Sequence, residues 1–85
     1  MKLYTFYDTL AEVCSPLFEA RNDAVAKRIY DNLKDLPPGS EKKDFRLLKC
    51  GSVDKETGTI LGMSKPLDIT RVSINALEAQ DENIS

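Results

Sequence analysis

Six basic side chains and one ring are the residues of this chain whose types and spacing suit joint work on one ligand. They are Lys27, Arg28, Lys42, Lys43, Arg46, Lys49 and Tyr4. Lysine and arginine neutralise phosphates, and an exposed ring stacks on an unpaired base, so the set suits single-stranded nucleic acid. Lys34 and Tyr30 fall in the same stretch. The competing reading is plain: the cations solvate a helix and a loop while the rings fill a core.

Charge distribution keeps the first reading open. The 85 residues carry a net charge of −2, yet residues 21–49 hold eight basic against five acidic side chains. Residues 50–85 hold three basic and six acidic side chains, so the only basic region sits mid-chain, followed by an acidic end. The overall acidity differs from that of a strongly basic nucleic-acid binder.

Catalytic chemistry finds little to work with. There is no histidine, which removes the commonest general base for a serine or cysteine nucleophile. Asp8, Glu12 and Glu19 are the acids that a paired-carboxylate site would need, and solvated surface acids are the simpler reading. Gly39, Gly51, Gly58 and Gly62 never cluster into a phosphate-cradling loop. Cys14 and Cys50 are too far apart in sequence for metal-ligand spacing. Each reads as a small, partly buried side chain, and they can pair only if two strands bring them together. A non-enzymatic protein without cofactor or metal is expected.

The elements that must position these residues are legible in outline. Leu3–Thr9 is aromatic and β-branched, a strand with Tyr4 and Phe6 on one face and Leu3 and Tyr7 on the other. Pro16 interrupts the next stretch, leaving a short strand within Val13–Ala20. Asn22 is placed to cap a helix whose apolar series is Val25, Ile29 and Leu33, with Ala26 and Tyr30 beside it and Lys27, Arg28, Asp31 and Lys34 toward solvent. That helix must stop before Pro37-Pro38-Gly39. Phe45–Met63 reads as a hairpin turning through Asp54-Lys55-Glu56-Thr57-Gly58, where a type I turn closes on a glycine of positive φ. Lys65-Pro66-Leu67 reads as a break, after which Thr70 is placed to cap a short helix through Val72, Ile74 and Leu77. Asp81–Ser85 is polar and is expected to fray.

The expected fold is therefore α+β: a small antiparallel sheet in β-β-α-β-β order, covered on one face by a single helix. Residues 1–67 form the domain and residues 68–85 a C-terminal segment. Tyr4, Phe6 and Phe18 give more aromatic surface than one short helix covers, which favours a homodimer. No apolar run approaches the roughly 18 residues of a membrane span. The N-terminal MKLYTFYDTL lacks a signal peptide's apolar stretch, so a cytoplasmic location is expected.

Two segments carry a family resemblance. YTFYDTLAEVCSPLFEARNDAVAKR resembles the opening of the small nonstructural protein of gokushovirus-type phages, the single-stranded DNA phages of the Microviridae. DFRLLKCGSVDKETGTI is similar to that family's D-F-x-L-x-x-x-G-x-x-D-x-x-T-G hairpin. The match covers about residues 3–67 with order and spacing intact. The resemblance implies a DNA-binding or replication-associated accessory protein acting on phage DNA, in genome replication or packaging, in the host bacterial cytoplasm. It supplies no established binding residues, so the contact candidates rest on charge alone. The alternative is an adaptor that engages a viral replication or capsid protein, or a host factor, through an exposed apolar face or the acidic end.

Overall fold

The computed structural model describes residues 1–34 and 36–72. Five strands form one antiparallel sheet: β1 (Lys2–Asp8), β2 (Val13–Cys14), β3 (Phe18–Ala20), β4 (Phe45–Val53) and β5 (Ile60–Asp68). One helix, α1 (Asp23–Asp31), and a short 3-10 turn (Lys42–Asp44) lie between β3 and β4. The strand order is β2-β1-β4-β5, with β3 also paired to β1. The expected α+β architecture is the observed one.

The expected single strand within Val13–Ala20 is broken in two at Pro16, which has no N–H for the ladder. Ser15 holds the break against β1: its N–H donates to the Phe6 carbonyl at 2.8 Å, and its Oγ accepts from the Phe6 N–H at 3.0 Å. Thr5 Oγ1 donates to the Ser15 carbonyl at 2.7 Å, so the buried threonine is satisfied there.

Asn22 caps α1 as the sequence indicates, its Oδ1 accepting the Val25 N–H at 2.9 Å. Of the expected Val25, Ile29, Leu33 series, Val25 and Leu33 pack against the core and Ile29 does not. Ala24, Ala26 and Tyr30 are buried, whereas Ile29 is 40% exposed. The stripe Asp23, Ala26, Lys27, Tyr30 keeps helical spacing and carries two charged members, each with a structural use. Asp23 Oδ1 accepts the Tyr4 hydroxyl at 2.5 Å and lies 3.3 Å from Lys49 Nζ. Lys27, expected in solvent, has its ammonium 4.7 Å from the Tyr30 ring centroid. Tyr30 in turn donates its hydroxyl toward the Phe45 and Lys42 carbonyls at 2.9 and 3.1 Å.

The core is built from Tyr4, Ala20, Ala26, Tyr30, Phe45, Leu47 and Ile69, with Phe6, Phe18, Val25, Leu33, Leu36 and Val72 against it. Phe6 and Phe18 stack at 4.8 Å, and Phe18 and Tyr4 at 5.7 Å. Of the three rings expected to seek a second copy, Tyr4 is enclosed by this stack whereas Phe6 and Phe18 stay half-buried.

The hairpin turn follows its chemistry. Gly58 has φ +77°, and its N–H donates to the Asp54 carbonyl at 2.7 Å. Asp54 Oδ1 accepts the Glu56 N–H at 2.9 Å, an Asx turn inside the loop. The break expected at Lys65-Pro66-Leu67 is instead continuous strand, since β5 runs to Asp68. Pro66 is tolerated because β5 is an edge strand and because the register slips between the Gly51–Gly62 and Lys49–Leu67 pairs.

The folded unit extends beyond the expected boundary at Leu67. Ile69 is buried and its N–H donates to the Leu47 carbonyl at 2.9 Å. Thr70 does not open a helix at its own position. Its Oγ1 accepts the buried Leu47 N–H at 2.7 Å and donates to Asp68 Oδ1 at 2.6 Å. Ile74, Leu77 and the polar Asp81–Ser85 lie outside the described residues.

Burial alone would raise the Asp68 carboxyl, but hydrogen bonds from Thr70 and Arg46 outweigh it and hold the group below its usual value. A depressed carboxylate contributes stability above its unfolded value near 3.8, lost as pH falls through the folded value. Thr70→Val is therefore expected to cost about 2 kcal/mol by orphaning the Leu47 N–H, and to move acid unfolding to higher pH. Urea melts between pH 3 and 7 check this, and superimposable curves for the two proteins would refute it.

Candidate nucleic-acid interface

The helix and the 3-10 turn bring part of the predicted basic set together. Lys27 and Lys42 approach the Tyr30 ring, at 4.7 and 6.0 Å from its centroid. Arg28 is exposed on α1, and Lys43 is exposed next to Lys42 on the 3-10 turn. Arg46 and Lys49 lie on β4 and belong to different faces. Arg46 is paired across from Tyr7, whereas Lys49 is across from Tyr4.

Carboxylates neutralise much of this set. Lys27 meets Asp31 at 3.2 Å, Lys43 meets Glu41 at 3.2 Å, Arg46 meets Asp68 at 2.9 Å and Lys49 meets Asp23 at 3.3 Å. Lys42 Nζ instead donates to the Asp31 backbone carbonyl at 3.3 Å. Of these pairs, Lys43–Glu41 is the exposed one, and such pairs exchange readily with other anions because each contributes only ~0–1 kcal/mol. Lys43, with its side chain 78% exposed, is the freest to do so.

Tyr4 is not on a surface. Its side chain is fully buried and its hydroxyl is held by Asp23, so its ring has no face to offer a base. The stacking assigned to it from sequence is replaced by a core role. Burial, then the Asp23 hydrogen bond and charge, push its hydroxyl far above the ordinary tyrosine range. Tyr30 is also buried, and its ring is covered by lysine rather than open to solvent.

Two cations outside the predicted set stand out. Lys2 and Arg21 line an open depression of about 580 Å³ with Ser52, Asp54, Thr57, Thr59 and Leu61, and neither has an ion-pair partner among the described residues. No signal in the sequence marks them. They sit singly among apolar and acidic neighbours, and only the pairing of β1 with β3 and β4 brings them together.

Cys14 is exposed and Cys50 half-buried, and both are free thiols. Burial, and then the neighbouring Cys14, push the Cys50 thiol up, which disfavours the reactive thiolate. Among the described residues no group of three or more acidic or cysteine side chains is placed to hold a metal ion. No helix among them is long and apolar enough to cross a membrane.

No curated protein and no solved structure matches this chain. A family model does, described as Phage ORF5 protein and matching residues 1–78. The match spans every strand, the helix and the hairpin described above, so this chain belongs to the Phage ORF5 protein family.

Proposed function

We propose that this phage protein binds single-stranded DNA, without catalysis, during viral genome replication or packaging in the bacterial cytoplasm. Within the phage family the closer relationship is to the gokushovirus-type Microviridae, and the working unit is a homodimer. The observation that carries the reading is a set of surface cations on a phage-family scaffold, including Lys2, Arg21 and Lys34 with no carboxylate partner among the described residues. Mechanistically, phosphates replace the weak carboxylate partners of the surface lysines, and the released counterions supply the free energy. The net charge of −2 keeps affinity moderate and makes it depend on local clusters.

Fluorescence anisotropy of a labelled single-stranded oligonucleotide is expected to show affinity falling steeply between about 50 and 200 mM salt, with weaker duplex binding. Sedimentation of the same samples is expected to give twice the chain mass. Absence of binding at the lower salt would remove the DNA reading, and a monomer mass throughout would remove the dimer.

A second reading, a protein-interaction adaptor, is favoured by one feature. All nine residues of β5 are exposed, including Ile60, Leu61, Met63 and Leu67. An exposed apolar strand at a sheet edge is a docking surface in many proteins. Under this reading a viral replication or capsid protein, or a host factor, stays bound after nuclease treatment.

A further inference from the structure

We infer that the phosphate backbone of a single-stranded polynucleotide lies in the trough between β3, β1 and the β4–β5 hairpin, held by Lys2 and Arg21. The inference rests on the DNA-binding reading above and moves its principal contacts away from the helix. Lys2 is the cross-strand partner of Ala20 on one side and of Ser52 on the other, and Ser52 is the partner of Leu61. Arg21 directly follows Ala20. A single row across four strands thus runs from Ala20 through Lys2 and Ser52 to Leu61, with neighbouring strands about 4.8 Å apart, and Arg21 lines the same depression from just beyond the end of β3.

Lys2 alternates with Tyr4 along β1, so the row is on the face of Tyr4 and Leu47, where Ala20 is buried in the core but Lys2, Ser52 and Leu61 are not. The space left open is the 580 Å³ depression, and a second of about 400 Å³ adjoins it, sharing Lys2, Ser52 and Leu61 and adding Lys49, Gly51, Gly62 and Met63. Together they form a trough with cations on the β1 side, apolar Leu61 and Met63 on the β5 side, and the hydroxyls of Ser52, Thr57 and Thr59 along it. Phosphates match the cations and hydroxyls, and unpaired bases match the apolar wall.

Charge complementarity separates this trough from the helix end. Lys27 and Lys43 already face carboxylates, whereas Lys2 and Arg21 have none within ion-pair distance among the described residues. Asp54 is the acid that lines the trough, and its Oδ1 is committed to the turn amide of Glu56. Lys49 closes the far end with its charge balanced by Asp23, so Lys2 and Arg21 supply the unbalanced positive charge.

The test compares two double variants of the full chain on a labelled oligothymidylate. Lys2→Ala with Arg21→Ala is expected to weaken binding about tenfold or more near 100 mM salt and to lower the salt slope by about 1.4, the value for two lost single-strand phosphate contacts. Lys42→Ala with Lys43→Ala, at the secondary contacts of the helix end, is expected to weaken binding by a clearly smaller factor than the trough variant does. Thermal unfolding confirms that each variant is folded. Amide shift mapping on the unaltered protein gives an independent readout, with changes expected at Lys2, Arg21, Ser52, Thr57 and Leu61. If the parent binds while the trough variant keeps its affinity, or the shifts fall on α1 instead, the trough assignment is overturned and the DNA reading stands. If the parent does not bind, both fall.

Discussion

Gly51→Ala is expected to detach β5 from the sheet. A Cβ at position 51 would overlap the backbone carbonyl oxygen of Leu61 and lie 3.0 Å from the Gly62 Cα. Both are main-chain atoms of the paired strand, so neither can swing away as a side-chain tip would. Relief requires the β4–β5 ladder to open at the Gly51–Gly62 pair, next to the register slip. Overpacking of this kind costs about 3 kcal/mol, against the ~3–5 kcal/mol total that a core of this size supplies. Gly58→Ala is the internal comparison. Its Cβ would meet nothing within 4 Å, so only the positive φ of +77° resists it, a cost of about 1 kcal/mol. Denaturant midpoints and hydrogen exchange of the β5 amides measure the difference. If Gly51→Ala proves no more damaging than Gly58→Ala, the close approach of the two strands is not as described.

Tyr4→Ala is expected to be the most damaging core change, with a loss of about 3–5 kcal/mol that leaves the chain largely unfolded at 25 °C. Tyr4 is one of the two large side chains with less than 2% of their surface exposed. It joins the aromatic stack to the first turn of α1 through Asp23. Tyr4→Phe separates packing from polarity. It keeps the ring and removes the hydroxyl, at a cost of about 1.5 kcal/mol for a hydrogen bond to a charged acceptor. Because burial and Asp23 raise the hydroxyl above the ordinary value of 10.0, the folded state keeps its proton where the unfolded state loses it. Stability from this group is full below pH 10 and falls as pH rises beyond it. Tyr4→Phe should therefore lose stability less steeply in alkali than the parent. Equal alkaline slopes, or a Tyr4→Phe protein as stable as the parent at pH 7, would show that the Asp23 bond contributes nothing.

How far each element is legible in the sequence depends on how local its signal is. Asn22 as a cap and Gly58 as the turn glycine depend on neighbours within four residues, and both are where the pattern puts them. Apolar spacing places Val25 and Leu33 against the core but overrates Ile29 and passes over Asp23 and Lys27. Asp23 faces inward only because Tyr4 and Lys49, distant in sequence, need a carboxylate there. Pro66 likewise reads as a break until the strand order shows that β5 is an edge. The binding surface is the least legible part. Counting cations points to residues 27–49, but whether a lysine is balanced depends on which acid the fold sets beside it. Lys2 and Arg21 become neighbours through strand pairing alone.

The pairing of β1 with β4 also sets a clock. Asp8, at the end of β1, is opposite Phe45, at the start of β4, and the two are 37 residues apart in the chain. A bacterial ribosome adding about 5–20 residues per second needs roughly 2–7 seconds to make that stretch. Through that interval β1 has only β2 and β3 beside it, with its other edge unsatisfied and Tyr4 and Phe6 awaiting Leu47. The nine residues of the helix are made within the same window, but a helix that short is marginal without the sheet face and Phe45 that Tyr30 packs on. A nascent chain stalled before Phe45 should therefore hold an unfinished sheet and an unanchored helix, the point in its life at which a chaperone or a premature partner has most to grip.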